Sequence, residues 1–126
     1  MTKKYAITGG AGFIGSNLAE ALADGNEVVV VDDLSAGRRE NLAGLDITFI
    51  EGSILDLELL KEAFEGCACV FHQAAVASVQ RSVEDPISTS RVGVEGTLNV
   101  LVAARDSGAE KVVFASSGCV YPEDLQ

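Results

Sequence analysis

Positive charge is scarce in this sequence: nine lysines and arginines stand against nineteen aspartates and glutamates, for a formal net charge of -10 at pH 7. Such a surface repels nucleic acid and anionic lipid, so neither is expected as a partner. Long apolar runs are also missing. No stretch approaches the ~20 apolar residues of a membrane span, and MTKKYAITGG holds two lysines followed by an apolar run too short for the core of a signal peptide. The expected compartment is therefore the cytoplasm. Cysteine is sparse and odd in number: Cys67, Cys69 and Cys119 lack paired metal-ligand spacing, so buried thiols are expected rather than ligands or a bridge. The single histidine, His72, ends an apolar run and is expected to serve structure. No repeat, low-complexity tract or linker divides the chain, so residues 1–126 are expected to form one domain around one core.

What is present is a regular alternation. Short β-branched runs recur as KYAIT (4–8), EVVVV (27–31), ITFIE (47–51), ACVFH (68–72) and KVVFAS (111–116), each followed by polar or glycine punctuation. Helical periodicity fills the gaps: Phe13 to Ala23 with Ile14, Leu18, Ala21 and Leu22 on one face, Leu55 to Phe64 after a candidate cap at Ser53, and the long Ile87 to Ser107. Runs such as VVVV, with no in-out alternation, suit a parallel sheet covered on both faces. The expectation is an α/β fold, a doubly wound Rossmann-type parallel sheet of five strands in the order 3-2-1-4-5. Its ligand crevice opens at the carboxyl ends of strands one and four.

TGGAGFIGS, residues 8–16, joins the first strand to the first helix with glycines at 9, 12 and 15. The first permits a tight turn, the middle one lets backbone amides approach a pyrophosphate, and the third lets the helix pack closely on the sheet. The helix end would then offer free N–H groups and partial positive charge to phosphates. Glycine turns are common, so the second element decides more. Asp32 ends the second strand seventeen residues after Gly15, where an acid would bind the adenosine ribose hydroxyls. A carboxylate there repels a 2′-phosphate and favours NAD over NADP, although Arg38 and Arg39 follow closely.

Five collinear pieces, TGGAGFIGS, VVDDLSAGRRENL, FHQAAVASVQRSVEDP, EGTLNVLVAA and KVVFASSGCVY, give a more specific likeness. The chain resembles the extended short-chain dehydrogenase/reductases, and among them the NAD-dependent nucleotide-sugar epimerases and dehydratases typified by UDP-glucose 4-epimerase. The resemblance implies that backbone at Gly9, Gly12, Phe13, Ile14 and Gly15 holds the pyrophosphate and that Asp32, helped by Asp33, holds the adenine ribose. It places Ser53 and Ile54 at the adenine, Gln73, Ala74 and Ala75 along the cofactor trough, and Ser117 at the reacting sugar hydroxyl. It also implies a nucleotide-sugar substrate and a homodimer built partly on the long helix through Val94, Leu98 and Leu101.

The chain departs from that pattern in several places. The family's usual GDI reads GSI at Ser53, Gly93 stands where the long helix usually carries asparagine, and Pro122 follows VY where glycine is usual. In the family a tyrosine of a YxxxK motif removes the sugar 4-hydroxyl proton as hydride passes to the nicotinamide. Neither Tyr5 nor Tyr121 has a lysine four positions later. The expectation is thus the NAD-binding portion of such an enzyme, truncated relative to the family and without its substrate-binding part. A non-catalytic dinucleotide-binding module or a non-functional gene fragment is the alternative. With the fifth strand as an apolar edge, irregular self-association is expected.

Overall fold

The computed structural model describes residues 2–122 and Asp124. Its five strands, β1 (Lys4–Thr8), β2 (Glu27–Asp32), β3 (Thr48–Glu51), β4 (Cys69–His72) and β5 (Lys111–Phe114), form one sheet in the order β3-β2-β1-β4-β5. Every pairing is parallel. This is the expected Rossmann-type order, and the change of winding direction falls between β1 and β4.

The valine run of β2 shows why this sheet must be covered twice. Val29 and Val31 pack on one face with Leu60, Phe64, Val70, Val100 and Ala103, while Val28 and Val30 pack on the other with Ile7, Ala19 and Leu42. The first layer is supplied by α2 (Leu57–Ala63) and α5 (Thr97–Asp106), the second by α1 (Phe13–Ala23) and a 3-10 turn at Arg39–Leu42. Burying each such side chain contributes roughly 1.5–3 kcal/mol. Alternation would have left one face bare.

Several boundaries differ from expectation. The helix α2 is capped by Asp56, whose carboxylate accepts from Leu59 N at 3.2 Å, and not by Ser53. Ser53 instead forms a turn, its hydroxyl accepting from Leu55 N at 3.1 Å and its carbonyl from Asp56 N. Aspartate caps at least as well as serine and stands directly before the first helical residue. The segment before the long helix forms an unexpected short helix, α3 (Val79–Glu84), capped by Ser78 and closed just before Pro86. The long helix itself is α4 (Pro86–Ser90), a π-helical turn over Arg91–Gly96, and α5. Local periodicity cannot reveal that change of hydrogen-bond register.

Candidate dinucleotide site

The crevice is built on the glycine turn between β1 and α1. Gly9 holds φ +70°, and a Cβ there would stand 2.7 Å from Ala74 N and 2.9 Å from Gln73 C, so the turn lies directly against the chain leaving β4. Its N–H bonds Val31 O of β2 at 2.8 Å, which seats the turn across the top of the sheet. Gly15 serves packing: a Cβ would run into Gly9 O and stand 2.6 Å from Gly10 Cα. Gly12 is different. Its Cβ would meet only Gly9 O, at 3.4 Å, so the space above the middle glycine is open.

The residue Gly12 is also the N-cap of α1, with no side-chain cap and no acid in the first turn. The N–H groups of Phe13, Ile14 and Gly15 therefore precede the helical ladder uncapped, with the positive end of the helix dipole behind them. The side chains of Phe13 and Ile14 are exposed, at 83% and 62%. Backbone, and not side chain, is what this corner presents to a ligand.

The residue Asp32 stands beside the same turn. It is 8% exposed, and its two oxygens accept from Ala11 N at 2.9 Å and Leu34 N at 2.8 Å. A carboxylate has about four acceptor sites, so two remain for a pair of hydroxyls. Leu34 reaches its bond only by adopting φ +62°, a left-handed conformation rare for a non-glycine residue. Asp33 is exposed and turned to its own loop, one oxygen accepting from Ser35 N at 3.0 Å and Ser35 Oγ at 2.7 Å. The following loop is fastened to the turn as well, because Arg38 N and Asn41 Nδ2 both donate to Ala11 O, at 3.0 and 2.8 Å. The two arginines then part: the Arg39 guanidinium lies 4.8 Å above the Phe49 ring, on the β3 side.

Between β1 and β4 lies a buried polar chain that the sequence signals only as one histidine. Thr8 Oγ1 lies 2.6 Å from His72 Nδ1, and His72 Nε2 lies 3.0 Å from Thr97 Oγ1. Gln73 N and Ala74 N, in the expected trough, point at the same Thr8 Oγ1 at 3.1 and 3.2 Å. Burial pushes the His72 pKa below its ordinary value. The expected structural role of His72 agrees with this arrangement.

The remaining expected positions are dispersed. Ser53 is part-buried in its turn; Ile54 is buried against Gly96, and its carbonyl accepts from Asn99 Nδ2 at 3.0 Å. Ala75 is exposed. Ser117 lies three residues beyond the end of β5, which stops at Phe114 and not at residue 116, and its hydroxyl accepts from Cys119 N at 3.1 Å. Burial raises the Cys67 thiol to about 11, against the opposing Lys4 charge, and raises Cys69 also, so neither is a ready nucleophile. Cys119 is exposed, against expectation. Among the described residues no group of His, Cys, Asp and Glu could hold a metal ion, and no helix is long and apolar enough to cross a membrane. Sequence reasoning missed Thr8, Asn41 and Thr97, which act by joining elements distant in the chain.

An α/β sheet wound in both directions, with a glycine turn and an acid at its switch point, defines a dinucleotide-binding Rossmann domain. Residues 5–126 match the NAD dependent epimerase/dehydratase family, and the chain belongs to that family. A UDP-glucose 4-epimerase of Mycolicibacterium smegmatis is 46% identical over 119 residues, covering 89% of this chain and 38% of that protein. Among solved structures, an epimerase from Methanothermobacter thermautotrophicus superposes with TM-score 0.91 at 42% identity, covering 98% of this chain and 38% of the other. The Thermus thermophilus UDP-glucose 4-epimerase in complex with NAD gives TM-score 0.82 at 46% identity over 91% of this chain and 38% of its own. The chain thus spans well under half the length of these relatives.

Proposed function

We propose that this chain is the NAD-binding portion of a nucleotide-sugar epimerase or dehydratase, most like UDP-glucose 4-epimerase. The observation that carries the reading is the meeting of two devices at one corner: uncapped N–H groups at the start of α1, and a buried Asp32 carboxylate with acceptor capacity to spare. The residues fit a dinucleotide. Open space above Gly12 admits a pyrophosphate to the N–H groups of Phe13, Ile14 and Gly15, and Asp32 takes the ribose hydroxyls. The same carboxylate disfavours a 2′-phosphate, so NAD is the cofactor rather than NADP, and the stacking of Arg39 on Phe49 removes one of the two cations that could have reversed that preference.

In the proposed role, Asp33 supports the ribose side through its free oxygen, Ser53 and Ile54 border the adenine, and Gln73, Ala74 and Ala75 line the trough. Ser117 would position the sugar hydroxyl, its own proton being free because its oxygen is the acceptor in the bond from Cys119 N. When bound, NAD supplies a hydride acceptor for transient oxidation at sugar C4. A tyrosine–lysine base is not found within these residues, so they bind and orient, and the proton-removing group lies outside them. We place this single domain in the cytoplasm. Titration with NAD tests the reading: saturable binding is expected with weaker binding of NADP, and no saturation at millimolar NAD would overturn it.

A further inference from the structure

One arrangement of protons satisfies every polar group around the Thr8 hydroxyl. Its oxygen faces three nitrogens, Gln73 N, Ala74 N and His72 Nδ1. Two of these are backbone N–H donors, the Gln73 one shared with Thr8 O. They occupy both lone pairs of the oxygen, so the hydroxyl proton must go to the third nitrogen. His72 Nδ1 is therefore an acceptor without a proton. The ring proton then sits on Nε2, where Thr97 Oγ1 stands 3.0 Å away to receive it. A protonated ring would aim a third donor at Thr8 Oγ1 and leave the hydroxyl proton with no acceptor.

Among the described residues, nothing around the ring offsets a positive charge on it. The ring is faced by Thr8 from β1, by Phe114 of β5 stacked at 5.9 Å, and by Thr97 at the start of α5, all uncharged. The charged groups of those elements lie elsewhere: Lys4 and Lys111 at the opposite strand ends, Arg105 and Asp106 paired at 2.9 Å at the end of α5, and Glu95 paired with Arg91 at 3.2 Å in the π turn. Burial accordingly holds the ring's pKa below 6.5.

Thr8 directly precedes Gly9, and Gly9 lies against the backbone of Gln73 and Ala74. One hydroxyl thus ties the glycine turn to the trough, and the histidine decides whether that hydroxyl can serve both. We propose that His72, as the neutral Nε2–H tautomer, is a positioning residue for the dinucleotide crevice, and that protonating it loosens the trough from the glycine turn and weakens dinucleotide binding. This rests on the NAD reading above.

The test exploits the fact that His72 is the only histidine in the chain. Two-bond 15N–1H NMR of the imidazole in the ligand-free protein reads the tautomer without any cofactor, and a Nδ1–H tautomer at neutral pH would overturn the proposal at its root. The same signals followed as pH falls locate where the folded-state ring takes up its proton, below 6.5; NAD titrated across that range should bind with constant affinity above it and about tenfold more weakly once the ring is protonated and one buried partner is lost. The variant His72→Asn, whose amide oxygen can replace Nδ1 as the acceptor, should bind NAD with no such dependence. His72→Phe, which cannot accept the Thr8 proton, should bind about tenfold more weakly at every pH. A flat profile in the parent protein, or the same slope in His72→Asn, overturns the coupling while leaving NAD binding intact. Absence of NAD binding at every pH, with the Nε2–H tautomer present, overturns the cofactor reading and the coupling with it.

Discussion

At the scale of single residues, the site depends on what its glycines and one acid exclude or satisfy. Replacing Asp32 by alanine strips the acceptor from both Ala11 N and Leu34 N. The expected result is a stability loss of about 1–3 kcal/mol in urea unfolding together with at least tenfold weaker NAD binding. If Asp32→Ala binds as tightly as the parent, the ribose role is lost. The glycines separate by the same reasoning. Gly15→Ala would press its methyl into Gly9 O and Gly10 Cα, so a destabilisation of about 1–3 kcal/mol is expected. Gly93→Ala meets nothing within 4 Å, and there the helix gains about 1 kcal/mol, read as a higher urea midpoint.

At the scale of elements, the histidine couples β1, β4 and α5, and its burial carries a pH signature of its own. The folded-state pKa is lowered from 6.5 by desolvation, so the unfolded chain takes up a proton first as pH falls. The His72 contribution to stability is therefore complete above 6.5 and is lost as pH falls from there through the folded-state value, below which both states are protonated. Urea midpoints measured at successive pH values should decline below 6.5 in the parent, at no more than about 1.4 kcal/mol per pH unit from this group. The His72→Asn variant should lack that component. The Thr8–His72–Thr97 chain also explains a limit of sequence reading. A threonine ending a strand and another starting a helical segment 89 residues later carry no joint signal until the sheet places them around one ring.

At the scale of the whole molecule, β5 is one of two edge strands, and no strand among the described residues pairs its outer side. Val113 and Phe114 are exposed there, Phe114 at 59%. We expect this 126-residue chain to self-associate through that edge, since open apolar strands template pairing. Light scattering should show concentration-dependent growth that Phe114→Lys reduces, and growth unchanged by that substitution would locate the association elsewhere. Val94, Leu98 and Leu101 of the long helix, which the family resemblance assigns to a dimer, are exposed as well.

The class of fold, the order of the strands and the place of the crevice are legible in the chain alone. Valine runs with no alternation can be buried only between two layers, and glycine spacing with an acid at the next strand end is a local code for a turn, a helix start and the acid proposed here as the ribose partner. Which atoms are free within that frame depends on packing between distant parts of the chain. Asp56 and not Ser53 caps α2, β5 stops at Phe114, Asp33 turns into its own loop, and Arg39 goes to Phe49. These outcomes are competitions between partners of similar strength, settled by distances that span the chain. The proton on His72 is the clearest case: the chain fixes that a histidine is there, and the donors gathered around Thr8 fix which nitrogen carries it.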